Sequence, residues 1–87
     1  VFIHIGNESM IQTDQIISII NYDVLSSSHM MEAMLKSYKG KIVGSEDNAR
    51  SIIFATDAIY FSALSVDTLT KRVHEKDIYY QVEMDVE

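Results

Sequence analysis

The chain has 87 residues, 47% apolar and 23% charged, the balance of a folded globular domain and not of a disordered segment. It contains no cysteine, so disulfide and thiolate chemistry are excluded, and a cytoplasmic domain is expected over a secreted one. A formal net charge of −6 argues against a protein that holds nucleic acid by bulk charge, because phosphate contacts dominate such affinity.

In chain order, Val1 to Ile5 reads as a first strand, and Gly6-Asn7-Glu8-Ser9 as the turn after it, since Gly and Asn tolerate left-handed backbone. Met10-Ile11-Gln12 is a short second strand. After Thr13-Asp14-Gln15, the run Ile16-Ile17-Ser18-Ile19-Ile20 is nearly all β-branched, which predicts a strand buried on both faces. Ser26-Ser27-Ser28 then offers N-cap hydroxyls. Met31, Met34, Leu35 and Tyr38 recur at three- and four-residue spacing before Gly40 stops the run, as in an amphipathic helix. Glu32 and Lys36 stand four apart on its exposed side.

Lys41 to Asn48 reads as a strand fragment followed by a polar loop, with Gly44, Glu46, Asp47 and Asn48 supplying turn chemistry. From Arg50 to Leu64, two apolar runs split by Thr56-Asp57 read as strand, tight turn and strand. A short helix ending in Lys71-Arg72 follows. From Ile78 onward, Ile78, Tyr80, Val82, Met84 and Val86 alternate with Tyr79, Gln81, Glu83, Asp85 and Glu87. That period of two predicts a strand with one buried and one wet face, pairing with its own sheet or with a neighbour's edge. The fold class expected is α+β: a small, mostly antiparallel sheet, one main amphipathic helix, a short second helix and a C-terminal strand. One domain spans 1–87, with a core over 1–74 and an acidic strand over 77–87.

A chain this short buries roughly 60–65% of its unfolded surface, so its core is modest and a partner subunit would add to it. Val1 to Ile5 carries no basic leader, and no apolar run approaches the ~18 residues of a membrane span, so no membrane partner is expected. Charge is uneven. All seven Lys and Arg fall between Lys36 and Lys76; residues 1–76 hold seven bases against nine acids, or −2, and residues 77–87 add Asp77, Glu83, Asp85 and Glu87.

Candidate chemistry is sparse. His4, His29 and His74 are scattered, whereas a metal site needs several converging ligands, so no metal or other cofactor is expected. No carboxylate or serine constellation suggests acid–base or nucleophilic catalysis, and no small-molecule substrate is evident. Gly6-Asn7-Glu8 lacks the spacing and the lysine of a phosphate loop. Met30, Met31 and Met34 suit a core or subunit contact as well as a soft groove. Lys71 and Arg72 favourably meet a helix C-terminal dipole without any ligand, and Arg50 is as well placed to blunt a strand edge.

The order and spacing of several segments carry more. Gly6-Asn7, Asp14-Gln15-Ile16-Ile17-Ser18-Ile19, the helix from Ser28 to Lys39, Arg50-Ser51-Ile52-Ile53, and Ser62-Ala63 followed by Thr68-Leu69 and Lys71-Arg72 resemble the small bacterial extracellular-matrix regulators of the RemA/RemB family, RemB more closely. The resemblance runs to about Arg72. It implies a non-enzymatic, DNA-associated transcriptional regulator of biofilm-matrix genes, in a family whose RemA builds closed rings. A homo-oligomer is implied, with double-stranded DNA and a RemA-like protein as partners.

The resemblance implies that the DNA-contacting positions are those that are arginines in RemA, one just before the Ile-Ser-Ile strand and a pair just before the strand that opens here at Arg50. Gln15 occupies the first position, and Asp47 and Asn48 stand in the loop ahead of Arg50, which itself matches. The nucleic-acid candidates are therefore Lys41, Arg50, Lys71 and Arg72, and the oligomer-interface candidates are Ile78, Tyr80, Val82 and Met84. The absent arginines and the negative charge motivate a competing expectation, a ring-forming adaptor or assembly protein that binds protein partners instead of DNA.

Overall fold

The alternating apolar residues at the start of the chain form a hairpin that seals one side of a larger sheet. The structure, a computed structural model, describes residues 1–6 and 8–75. Strand β1 (Phe2–Gly6) buries Ile3 and Ile5 and exposes Phe2 and His4, the alternation of a strand with one dry face. It pairs antiparallel with β2 (Ser9–Gln12), Ile3 opposite Ile11 and His4 opposite Met10. The connection needs left-handed backbone, and Gly6, at φ +92°, adopts it without a Cβ penalty.

A 3₁₀ turn over Thr13–Gln15 leads into β3 (Ile16–Asn21). With β4 (Ile42–Val43), β5 (Ser51–Ala55) and β6 (Ile59–Ser62), it makes a second sheet in the order β3-β5-β6-β4. β5 runs antiparallel to both β3 and β6, whereas β4 runs parallel to β6. The central pair comes from the strand–turn–strand reading of residues 50–64. Ile52, Ile53 and all of Ile59–Ser62 are buried.

The expectation that β3 is buried on both faces is corrected. It stands at the sheet edge, none of its residues is fully buried, and Ile17 is 68% exposed. The register skips Ile17, between Ile16 opposite Ala55 and Ser18 opposite Phe54. Such a bulge turns the extra residue outward and blunts the edge against a foreign strand.

Two helices follow β3 where one was expected. α1 (Tyr22–Ser27) starts at Asn21, whose side chain accepts the Asp23 N–H at 2.8 Å. α2 (His29–Ser37) starts at Ser28, whose hydroxyl accepts the Met31 N–H at 3.2 Å. α2 ends at Ser37 with an extended Tyr38, two residues before the expected stop at Lys39. α3, residues 66–75, opens on Ser65, whose Oγ accepts the Thr68 N–H at 3.1 Å. The mixed α+β class expected from the sequence is what the structure shows, with two small sheets in place of one. The expected strand over 77–87 lies outside the described residues.

Alternation along β5 and β6 divides the interior in two. Ile53 and Tyr60 face Ile3, Ile5, Ile11 and the α3 residue Leu69, with Val73 one turn on. Ile52, Ile59 and Phe61 face Leu25 of α1 and Leu35 of α2. Two buried serines stitch the layers. Ser62 Oγ donates to the Ile5 carbonyl and accepts the Leu64 N–H at 3.0 Å, and Ser51 Oγ donates to the Leu64 carbonyl at 2.6 Å. Among the described residues no buried side-chain polar atom lacks a partner, as buried groups require.

Candidate functional site

The four candidate cations do not gather into one cluster. Lys41 is exposed just before β4, and its carbonyl accepts the Ile59 N–H at 3.0 Å. Arg50 is exposed just before β5, and its N–H donates to the Ser62 carbonyl at 2.8 Å. These bonds fix the two residues at opposite ends of β6, about 10 Å apart along the strand.

Lys71 and Arg72 lie on α3, which continues to residue 75, so they do not end it as the sequence suggested. Lys71 is exposed. Arg72 is half-buried, and its Nη1 donates to the His4 carbonyl at 2.8 Å, tying α3 to β1. Phe2, Met10, Arg72 and Glu75 border a hollow of about 480 Å³ beside this bond. Sequence reasoning gave Arg72 no structural partner, because the contact spans 68 positions and leaves no local signal.

The positions where the resemblance to RemA places arginines hold residues with other tasks. Gln15 Oε1 accepts a hydrogen bond from the Thr56 hydroxyl, and its carbonyl accepts the Thr56 N–H at 2.9 Å. Gln15 thus pins the β5–β6 turn. In the β4–β5 loop, the Asp47 N–H donates to Ser45 Oγ at 3.0 Å, and Asn48 sits at φ +64°, left-handed backbone that Asn tolerates. Both serve the loop's shape.

The helix-covered side of the sheet presents a cleft of about 560 Å³, floored by Tyr22, Leu25, Leu35, Ile42 and Phe61. Glu32 and Lys36 stand at its rim, 3.3 Å apart. Gly44 closes one end at φ +93°, where a Cβ would come within 2.7 Å of the Phe61 carbonyl oxygen. Around the cleft the methionines divide: Met31 packs into the core, while Met30 and Met34 point outward. Val24 and Ile42 are also exposed. Ile78, Tyr80, Val82 and Met84, the interface candidates, lie outside the described residues.

Ionisable groups offer little chemistry. His4, His29 and His74 are exposed on β1, α2 and α3, and no three His, Cys, Asp or Glu converge among the described residues. Tyr60 titrates above the usual phenol value, first because it is buried, then because its hydroxyl donates to Asp57 Oδ2 at 2.9 Å beside that carboxylate's charge. The phenol stays neutral near pH 7 with or without that shift, so the bond serves to hold the turn. No described helix is long and apolar enough to cross a membrane.

Comparison with known proteins matches this sequence to a family. Residues 2–73 fit the family described as RemA-like, Extracellular matrix regulatory protein A-like. The chain is also 35% identical over 72 residues to Extracellular matrix regulatory protein B of Bacillus subtilis (strain 168), covering 82% of this chain and 88% of the relative. The family match takes in both sheets and reaches Val73 on α3.

Proposed function

The chain belongs to the RemA-like family of extracellular matrix regulatory proteins, and from that membership we propose that it regulates bacterial matrix genes as a non-enzymatic, cytoplasmic homo-oligomer associated with double-stranded DNA. The observation that carries this reading is 35% identity to a protein named as a matrix regulator, across 88% of that protein's length.

The charge layout supports binding by repetition of weak contacts. Each protomer offers Lys41, Arg50 and Lys71 as exposed, separated cations, too few for tight binding alone against a net charge of −6. Repetition around a closed assembly turns weak phosphate contacts into avidity. A RemA-like protein is a further partner that supplies cations this chain lacks.

The test is fluorescence anisotropy with duplex DNA at low and moderate salt, on protein whose mass is measured in the same buffer. The variant combines Lys41→Ala, Arg50→Ala and Lys71→Ala and leaves Arg72 in place, because Arg72 holds β1. The parent binds with steep salt dependence. The variant binds more weakly on every sequence, and its salt slope falls by roughly one for each phosphate it no longer meets. Unchanged binding by the variant contradicts the assignment of these cations to DNA.

A second reading, an assembly adaptor that binds protein partners, is favoured by one observation: Gln15, at a position where the resemblance to RemA implies an arginine, spends its side chain on Thr56. An intact oligomer that binds no DNA at low salt selects that reading.

A further inference from the structure

The geometry points to a head-to-tail contact between copies of this chain, in which the β3 edge of one copy, with Asp14 and Ile17, seats against the β4 edge of the next, with Lys39, Lys41 and Ile42. The inference rests on the homo-oligomer reading above and names a contact that builds it.

Both surfaces are uncovered edges of one sheet. In the order β3-β5-β6-β4 the outer strands are β3 and β4, and no strand among the described residues lies beyond either. Each edge exposes an isoleucine, Ile17 at 68% and Ile42 at 44%. The two cannot cover one another within a chain, because three strand spacings, about 14 Å, separate the edges. The register skip at Ile17 spoils backbone pairing on its edge, so β3 meets a neighbour through side chains. Ile42 offers them an apolar seat, since it borders the cleft together with Leu35 and Phe61.

The register sets the two edges level. Ile17 falls between Ile16, opposite Ala55, and Ser18, opposite Phe54. Phe54 lies opposite Ile59, and Ile59 pairs with Ile42. One row across the sheet therefore ends in Ile17 on one side and in Ile42 on the other. β3 and β4 also run in the same direction, because β5 is antiparallel to both β3 and β6 while β4 is parallel to β6. A copy set beside another, its sheet continuing in the same sense, brings Ile17 level with Ile42 without a shift along the strands.

Charge agrees with that placement. Asp14 precedes Ile17 on one edge, and Lys39 and Lys41 precede Ile42 on the other, at the same end of the sheet. All three are exposed, and none has an ion-pair partner among the described residues. Opposite signs meet when unlike edges join, whereas joining like edges brings together charges of one sign. Each copy carries one edge of each kind, so the contact repeats from copy to copy until the assembly closes on itself.

The test is a charge swap in the full chain, on variants whose circular dichroism matches the parent's, read as mass by sedimentation over a concentration series. Asp14→Lys, and separately Lys39→Glu with Lys41→Glu, each raise the self-dissociation constant about tenfold or more, because like charges then meet. An equimolar mixture of the two variants recovers assembly, since every β3 edge again finds a β4 edge of opposite sign. The first variant makes the chain less negative and the second more so, so a general charge effect moves them in opposite directions. Parental self-association in either variant, or no recovery on mixing, overturns the edge contact while the homo-oligomer reading stands; where the lysine variant alone is impaired, a different acidic segment covers β4. A parent that is monomeric throughout overturns both.

Discussion

On the hairpin side of the four-stranded sheet, Ile3, Ile5, Ile11 and Leu69 keep 3% exposure or less; on the helix side Leu25 and Leu35 keep 6% and 9% beside Val24, Met30, Met34 and Ile42, all more than 40% exposed. The same two strands, β5 and β6, serve both sides. What differs is the cover. A hairpin and a helix close the first, pinned by Ser62 on Ile5 and by Arg72 on His4. Two short helices leave a 560 Å³ cleft on the second. The hairpin side holds the fold beneath an outer face that keeps Phe2 and Met10 about half exposed at the 480 Å³ hollow, whereas the helix side keeps its exposed apolar residues around the 560 Å³ cleft.

Substitutions that break this contrast are expected to rank by side. Leu69→Ala on the sealed side costs about 2–5 kcal/mol, as forfeited transfer energy plus an unfilled cavity, and lowers the melting temperature by about 10 °C or more in a domain of this size. Ser62→Ala leaves the Ile5 carbonyl and the Leu64 N–H unpaired in a dry place and costs about 1–3 kcal/mol by denaturant titration. On the helix side, Ser28→Ala removes the α2 cap for about 1 kcal/mol.

Tyr60→Phe acts through pH. The folded-state pKa of Tyr60 is raised, so the stability it contributes is present below the unfolded value near 10 and is lost as pH rises through the folded value. Melting curves therefore fall more steeply above pH ~10 for the parent than for the phenylalanine variant. Met30→Gln, on a residue 86% exposed, changes monomer stability by less than about 0.5 kcal/mol. A large loss there would show that the helix side is sealed after all.

The sequence made the central strands legible because Ser51–Ala55 and Ile59–Ser62 are short, continuous and apolar on both faces, and the hairpin because Ile3, Ile5 and Ile11 keep strict alternation. β3 misled for a physical reason. Consecutive isoleucines satisfy a buried strand and an edge strand equally, and only a partner on the far side, which no strand among the described residues supplies, decides. α1 was missed because six residues carry too little periodicity; its readable sign was Asn21 as a cap.

At the candidate site, residue type was legible and placement was not. That Lys41 and Arg50 fall at opposite ends of one strand follows from the parallel pairing of β4 with β6, a long-range choice with no local signature. The Gln15–Thr56 and Arg72–His4 bonds join residues 41 and 68 positions apart and are equally silent in the chain.

The most direct test of the contrast is hydrogen–deuterium exchange on the full chain at two concentrations, one where it is assembled and one where it is dissociated. The account predicts that assembly adds protection at residues 22–37 and 41–44, with little change at 2–12, where the hairpin is already closed. Added protection confined to 2–12 and α3, with residues 22–44 unchanged, would contradict it.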